Sequence, residues 1–201
     1  MTSGHNGSGV DGNVYIDVTD LAHRTPSWLN DAIGAWSLYG LSLFAVLMLA
    51  AWWGARRAGS PSAVTALAVP LVTLAGFGVD LLLKLVFRED RPCQSLHVAV
   101  LESCPAPGDW SFPSNHAAIA AAAAVALLFV SRRLGGVAVV AAVLMAASRV
   151  WVGVHYPHDV LAGLLVGALV AAVCGRAVQR RQSVLADRLG EGRLRPLLTA
   201  P

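Results

Sequence analysis

The chain has 201 residues, 56% of them hydrophobic and 13% charged, a net charge of +3 and a mean hydropathy of +0.60. Soluble domains carry about a quarter charged residues, so this composition excludes an ordinary soluble domain and points to the bilayer. The basic residues are scattered in short segments between apolar runs, which argues against a nucleic-acid partner, and three cysteines are too few for a disulfide scaffold.

In chain order, residues 1–13 are rich in Gly, Ser and Asn and lack a basic stretch followed by an apolar one. They read as a disordered tail and not as a cleaved signal peptide. Val14, Val18 and Leu21 then recur at helical spacing, with Asp17 and Asp20 off the stripe. This pattern fits a short interfacial helix or an ordinary loop.

Five membrane-length apolar segments follow, at about 28–54, 62–87, 112–130, 134–152 and 157–174. A hydrocarbon core needs about 20 helical residues, which the first two segments supply easily. The other three reach that length only if His116, Arg149 and Asp159 enter the outer part of their helices. Those polar groups are then expected at headgroup depth, facing a cavity between helices. Ionisable groups there are costly, so by default they mark a functional site. The expected fold is all-α: a polytopic bundle of about five transmembrane helices with a short N-terminal interfacial helix. The expected divisions are an extracytoplasmic tail over 1–27, one membrane domain over 28–176 and a basic cytoplasmic tail over 177–201.

Orientation follows from arginine placement. Alternate connections carry Arg56 and Arg57, then Arg132 and Arg133, then a tail with Arg176, Arg180, Arg181, Arg188, Arg193 and Arg195. The positive-inside rule makes that side cytoplasmic. The N-terminus, the 88–111 loop and the 149–159 stretch then face outward. An oxidising exterior allows Cys93 and Cys104 to pair and close a small loop, with two free thiols as the alternative. Cys174, near the inner end of the fifth segment, is expected to be unpaired.

Three motifs fall on the outward side. The first is Lys84-x6-Arg91-Pro92, two cations a turn or two apart. They suit a phosphate, the arginine as a planar fork and the lysine as a compact charge, or they simply snorkel to the headgroups. Asp80, four residues before Lys84, either holds the lysine in place or merely neutralises it, and is expected to have a local structural role. The second motif is Pro113-Ser114-Asn115-His116 at a helix start. It reads either as ordinary capping or as an anion site built of backbone N–H groups, with the Ser114 hydroxyl and a proton from His116. The third is Ser148-Arg149-x5-His155-x3-Asp159, in which Pro157 suits the first turn of a helix. Asp159 can accept a hydrogen bond from His155, fixing its tautomer as a nucleophile requires. His158 is expected to face elsewhere and is assigned no role.

These blocks, in this order, resemble the type 2 phosphatidic acid phosphatase (PAP2) superfamily, and in particular its bacterial undecaprenyl-diphosphatase branch. The family pattern is K-x6-R-P, P-S-G-H and S-R-x5-H-x3-D; the departure here is Asn115 in place of glycine, which bears on substrate and not on class. The resemblance covers about residues 28–176. It implies metal-independent hydrolysis through a phosphohistidine, with no cofactor. His155 would be the nucleophile, His116 the acid that protonates the leaving oxygen, and Asp159 the group that orients His155. Lys84, Arg91, Ser114 and Arg149 would bind phosphate, with Pro113, Asn115 and Ser148 in support. The expected substrate is a polyprenyl diphosphate in the outer leaflet of the bacterial cytoplasmic membrane, cleaved to the monophosphate. Phosphatidylglycerol phosphate, phosphatidic acid and a prenyl-linked sugar phosphate are the alternatives. The oligomeric state is open.

Two other classes compete. A metal-dependent hydrolase could use His116, His155, His158 and Asp159 as ligands, but their spacing is loose. A transporter would spread its polar residues through the bilayer, whereas these gather at one end.

Overall fold

The computed structural model describes residues 5–191 and 195–199. The expected tail at residues 1–4, and Arg193, lie outside them. The elements in chain order are β1 (His5–Asn6), α1 (Ser8–Arg24), α2 (Ser27–Tyr39), α3 (Leu41–Ala58) and α4 (Ser60–Phe87). There follow β2 (Glu89–Asp90), α5 (Pro92–Ser95), α6 (Asn115–Leu128), α7 (Arg132–Trp151), α8 (Pro157–Gly190) and α9 (Arg195–Leu198). The protein is an all-α polytopic membrane bundle. Its two strands form one short parallel pair, with His5 opposite Glu89 and Asn6 opposite Asp90.

The bundle is built around α6. Nine of its 14 residues are buried, eight of them alanine, and it packs against α3, α4, α7 and α8. A helix that is apolar on every side belongs in the middle, and small side chains let its neighbours come close. A close approach is at Gly167 of α8, where an added Cβ would lie 2.1 Å from the Ala118 carbonyl oxygen of α6. At 1.5 Å per residue α6 is about 21 Å long, against about 30 Å of hydrocarbon. Its N-terminal cap, Ser114, is fully buried, so the N-terminus lies recessed within the protein.

The five expected spans resolve differently. Among the described residues, only α4, α7 and α8 are long and apolar enough to cross a bilayer singly. The first expected span is α2 plus α3, bent by 53° at Gly40. Met145 of α7 presses against that bend: a Cβ on Gly40 would meet its Cε at 2.8 Å. The third expected span is α6, too short on its own. The fifth does not stop near residue 174, because α8 continues unbroken to Gly190. No glycine or proline interrupts 176–189, so nothing breaks the helix after it leaves the apolar stretch.

The N-terminal expectation also needs correcting. Helix α1 starts at Ser8, so residues 8–13 are not a disordered tail. Its buried face is Gly12, Tyr15, Thr19 and Ala22, while Val14 and Leu21 of the expected stripe face outward. The Tyr15 hydroxyl donates to the Gly153 carbonyl at 2.9 Å, which docks α1 on the α7–α8 turn. At the other end of the bundle, Trp52 and Arg56 of α3 donate to the carbonyls of Leu197 and Thr199. The arginine-rich tail thus gathers opposite the three motifs.

Candidate active site

Four helix ends meet where the motifs lie: the C-termini of α4 and α7 and the N-termini of α6 and α8. Residues 152–156 join α7 to α8, and His155 sits in that turn, only 2% exposed. Pro157 occupies the first turn of α8, where a missing N–H costs nothing. Asp159, two residues on, accepts the Tyr156 N–H at 2.8 Å through Oδ2. The same oxygen faces His155 Nδ1 at 3.2 Å and accepts from the Ser111 hydroxyl. One carboxylate oxygen therefore both starts the helix and holds the ring.

The other side of the ring fixes its tautomer. His155 Nε2 lies 3.1 Å from Arg91 Nη1. A guanidinium has donors only, so Nε2 must accept and Nδ1 must carry the proton. Burial pushes the His155 imidazole well below its ordinary range, and the charges of Arg91, Lys84, Arg149 and His116 push it the same way. The ring is neutral at pH 7, with its lone pair aimed into a cationic pocket.

The cations are held by backbone and acids. Arg91 donates from Nε to the Asp109 carbonyl at 2.9 Å and from Nη1 to the Val154 carbonyl at 3.0 Å. Its Nη2 pairs with Asp109 Oδ1 at 3.0 Å. Lys84 donates to the Trp110 carbonyl at 2.7 Å. Arg149, in the last turn of α7, pairs through Nη1 with Glu102 Oε2 at 2.9 Å and also donates to the Ser37 hydroxyl of α2. It makes no hydrogen bond to His155, and its Nε has no partner among the described residues. Ser114 caps α6 without bonding through its side chain; its hydroxyl and the Asn115 side-chain amide oxygen Oδ1 are buried without partners among the described residues. Such orphaned atoms suit a polar ligand at the recessed N-terminus of α6. His116 is half-buried in the first turn of that helix.

Asp80, Ser148 and His158 make contacts that the spacing did not specify. Asp80 makes no ion pair with Lys84: both its carboxylate oxygens are buried without a hydrogen-bond partner among the described residues, and the lysine donates to the Trp110 carbonyl instead. Ser148 points back into its own helix, donating to the Met145 carbonyl at 2.7 Å. His158, set aside in the sequence, lies between carboxylates: Nδ1 is 2.8 Å from Asp11 Oδ1 and Nε2 is 2.8 Å from Glu89 Oε1. The residues missed altogether are Ser37, Glu102, Asp109 and Ser111. Asp109 and Ser111 stand just before the second motif and could have been suspected. Ser37 is a lone serine in an apolar run and gave no signal. Cys93 and Cys104 are joined in a disulfide that closes the loop carrying Glu102, and Cys174 is free.

Among the described residues, Glu89, His158 and Asp159 are the one group with metal-ligand atoms within 4.8 Å of one another. Both His158 nitrogens already face carboxylate oxygens, which calls for N–H donors and leaves no lone pair for a metal.

A recessed helix N-terminus, a neutral histidine held by an aspartate, and three arginine or lysine side chains around them define a polytopic membrane protein built for chemistry on a phosphate. The sequence profile of the PAP2 superfamily matches residues 64–183. The chain is 34% identical over 159 residues to undecaprenyl-diphosphatase BcrC of Bacillus subtilis (strain 168), covering 78% of each. It is 40% identical over 96 residues to decaprenylphosphoryl-5-phosphoribose phosphatase of Mycobacterium tuberculosis (strain ATCC 25618 / H37Rv), covering 47% of this chain and 51% of that one. The fold is similar to the crystal structure of a transmembrane PAP2 type phosphatidylglycerolphosphate phosphatase from Bacillus subtilis. The TM-score is 0.63 at 23% identity, over 85% of this chain and 86% of that one. The chain belongs to the PAP2 superfamily.

Proposed function

We propose that this chain is an integral-membrane lipid phosphatase that hydrolyses a polyprenyl diphosphate to the monophosphate through a phosphohistidine at His155. The observation that carries the reading is the ring itself: Nδ1 toward Asp159 and an accepting Nε2 beside Arg91. In the proposed reaction Nε2 attacks the terminal phosphorus in line, and the bond to the bridging oxygen breaks. His116 gives that oxygen its proton, and the lipid monophosphate leaves. Arg91, Lys84 and Arg149, with Ser114 and the first amides of α6, neutralise the charge on the phosphoryl oxygens. Asp159 stabilises the ring as it becomes positive. Water, deprotonated by His116, then attacks phosphorus and frees inorganic phosphate and the Nε2 lone pair.

The substrate class rests on the undecaprenyl-diphosphatase relative, which aligns with most of this chain. The arginine-rich tail and connections support a cytoplasmic face opposite the site, and therefore an outer-leaflet substrate at the bacterial cytoplasmic membrane. Helix α1, with Val14 and Leu21 outward, suits the outer interface. The test is phosphate release by purified protein in detergent from undecaprenyl diphosphate, phosphatidylglycerol phosphate and phosphatidic acid. Undecaprenyl diphosphate is expected to be hydrolysed fastest, with the His155→Ala protein folded and inactive. Full activity of that variant, or preference for a glycerolipid, overturns the assignment.

A further inference from the structure

The three catalytic-motif blocks leave out a cluster on the far side of Asp159. Oδ2 of that carboxylate has three donors, whereas Oδ1, fully buried, has no hydrogen-bond partner among the described residues. The His158 ring faces Oδ1, with Nε2 at 3.4 Å. That ring is fixed on every side. Asp11 accepts its Nδ1–H at 2.8 Å and its backbone N–H at 2.7 Å, and Glu89 accepts its Nε2–H at 2.8 Å. Tyr156 stacks on it at 5.4 Å between centroids, and Phe112 lies at 5.8 Å.

The two carboxylates come from distant pieces of chain. Asp11 belongs to α1, 147 residues before His158. It has non-helical backbone angles within α1, so the helix kinks there. Glu89 belongs to β2, which pairs with the N-terminal strand β1. Helix α1 and strand β1 both lie outside the 64–183 match to the superfamily.

We propose that His158 is a positioning residue: bracketed by Asp11 and Glu89, it sets a positive charge against the free oxygen of Asp159 and thereby holds Oδ2 on the nucleophile. The N-terminal segment then belongs to the catalytic apparatus, because Asp11 aims the ring that steadies the orienting carboxylate. A carboxylate held at one oxygen only can pivot about its Cβ–Cγ bond; a cation at the second oxygen removes that freedom. Groups that orient a functional side chain in this indirect way are typically worth about 10- to 100-fold in activity.

The inference rests on His155 being the nucleophile, and its test separates the two claims. Full-length wild-type, His155→Ala, His158→Ala, His158→Arg, Asp11→Ala and Asp11→Ala/His158→Ala proteins are assayed with undecaprenyl diphosphate, alongside thermal unfolding in detergent. His158→Ala is expected to lower kcat by about 10- to 100-fold with KM within threefold. Asp11→Ala is expected to fall less, and the double variant no further than His158→Ala alone, because the two act as one unit. His158→Arg, which can donate to both carboxylates, is expected to recover at least half of the logarithmic loss. Should His158→Ala fail to fold, the His158→Arg and Asp11→Ala proteins carry the same comparison. A kcat within twofold of wild type for His158→Ala or, where that variant does not fold, for Asp11→Ala overturns the inference. Additive losses at residues 11 and 158 do the same. An active His155→Ala protein instead removes the assignment on which it rests.

Discussion

Replacing Asp159 by asparagine keeps the size of the side chain and removes its charge. The amide oxygen can still accept the Tyr156 N–H, so the start of α8 survives, and the loss of stability is expected at the low end of the about 0.5–2 kcal/mol for a lost helix cap. The ring of His155 fares worse. The same oxygen also faces His155 Nδ1, so the rotamer that keeps the cap leaves Nδ1–H only an uncharged acceptor, whereas the flipped rotamer loses the cap, sets an amide N–H against Nδ1 and moves the ring proton to Nε2. That tautomer has no lone pair for phosphorus. The imidazolium-like ring of the transition state also loses its counter-charge, at a present distance of 3.2 Å. Hydrogen bonds to charged groups are worth about 1.5–3 kcal/mol, and the wrong tautomer adds to that. A fall in kcat of about 10²- to 10⁴-fold follows, equivalent to about 3–5.5 kcal/mol. The assay is phosphate release under saturating undecaprenyl diphosphate, with thermal unfolding as the check on folding. A folded Asp159→Asn protein within threefold of wild-type kcat refutes the reasoning, because the carboxylate would then not be orienting the ring.

Other consequences are as direct. Because burial and the surrounding cations hold His155 well below the usual imidazole range, the unprotonated form persists on acidification. The acid limb of kcat/KM assigned to this ring is expected below about pH 6.5, and a limb above it contradicts a neutral buried nucleophile. The sign for stability is opposite in feel: the unfolded chain takes up a proton below about pH 6.5 that the folded ring refuses, so folding weakens as pH falls through that point. Glu102 faces both terminal nitrogens of Arg149, at 2.9 and 3.4 Å, as a phosphate would. Glu102→Gln is expected to lower the inhibition constant of inorganic phosphate by about three- to tenfold, since this half-exposed pair is worth about 1 kcal/mol or somewhat more; an unchanged constant means that phosphate does not use Arg149. Gly167→Ala drives a Cβ toward the Ala118 carbonyl and is expected to cost about 1–3 kcal/mol, read as a lower unfolding temperature in detergent.

The class of fold was legible because bilayer length and apolar runs are one-dimensional properties. The central role of α6 was readable in its alanine run, whereas the break at Gly40 was not, because one glycine inside an apolar run does not by itself mark a bend. The extension of α8 to Gly190 escaped because hydropathy drops where the helix leaves the apolar stretch, although nothing breaks the backbone there. In the site, Lys84, Arg91, Ser114, His116, Arg149, His155 and Asp159 carried spacing that points to one end of the bundle. Glu102 did not, since its partner Arg149 is 47 residues away, whereas Asp109 and Ser111 stood beside the second motif without a spacing that named their partners. His158 was passed over because its partners, Asp11 and Glu89, come from segments that read as tail and loop. Asp80 misled for the opposite reason: helical spacing to Lys84 suggested a pair that the lysine, reaching out to the Trp110 carbonyl, does not make.

The covalent step is tested most directly by labelling. Undecaprenyl diphosphate carrying ³²P in its terminal phosphate is mixed with enzyme, quenched in alkali, where phosphohistidine survives, and digested for mass spectrometry. Label on the peptide containing His155, and none on the His155→Ala protein, is the expected result. Turnover without any labelled histidine, or label that persists when His155 is replaced, contradicts a nucleophile at this position.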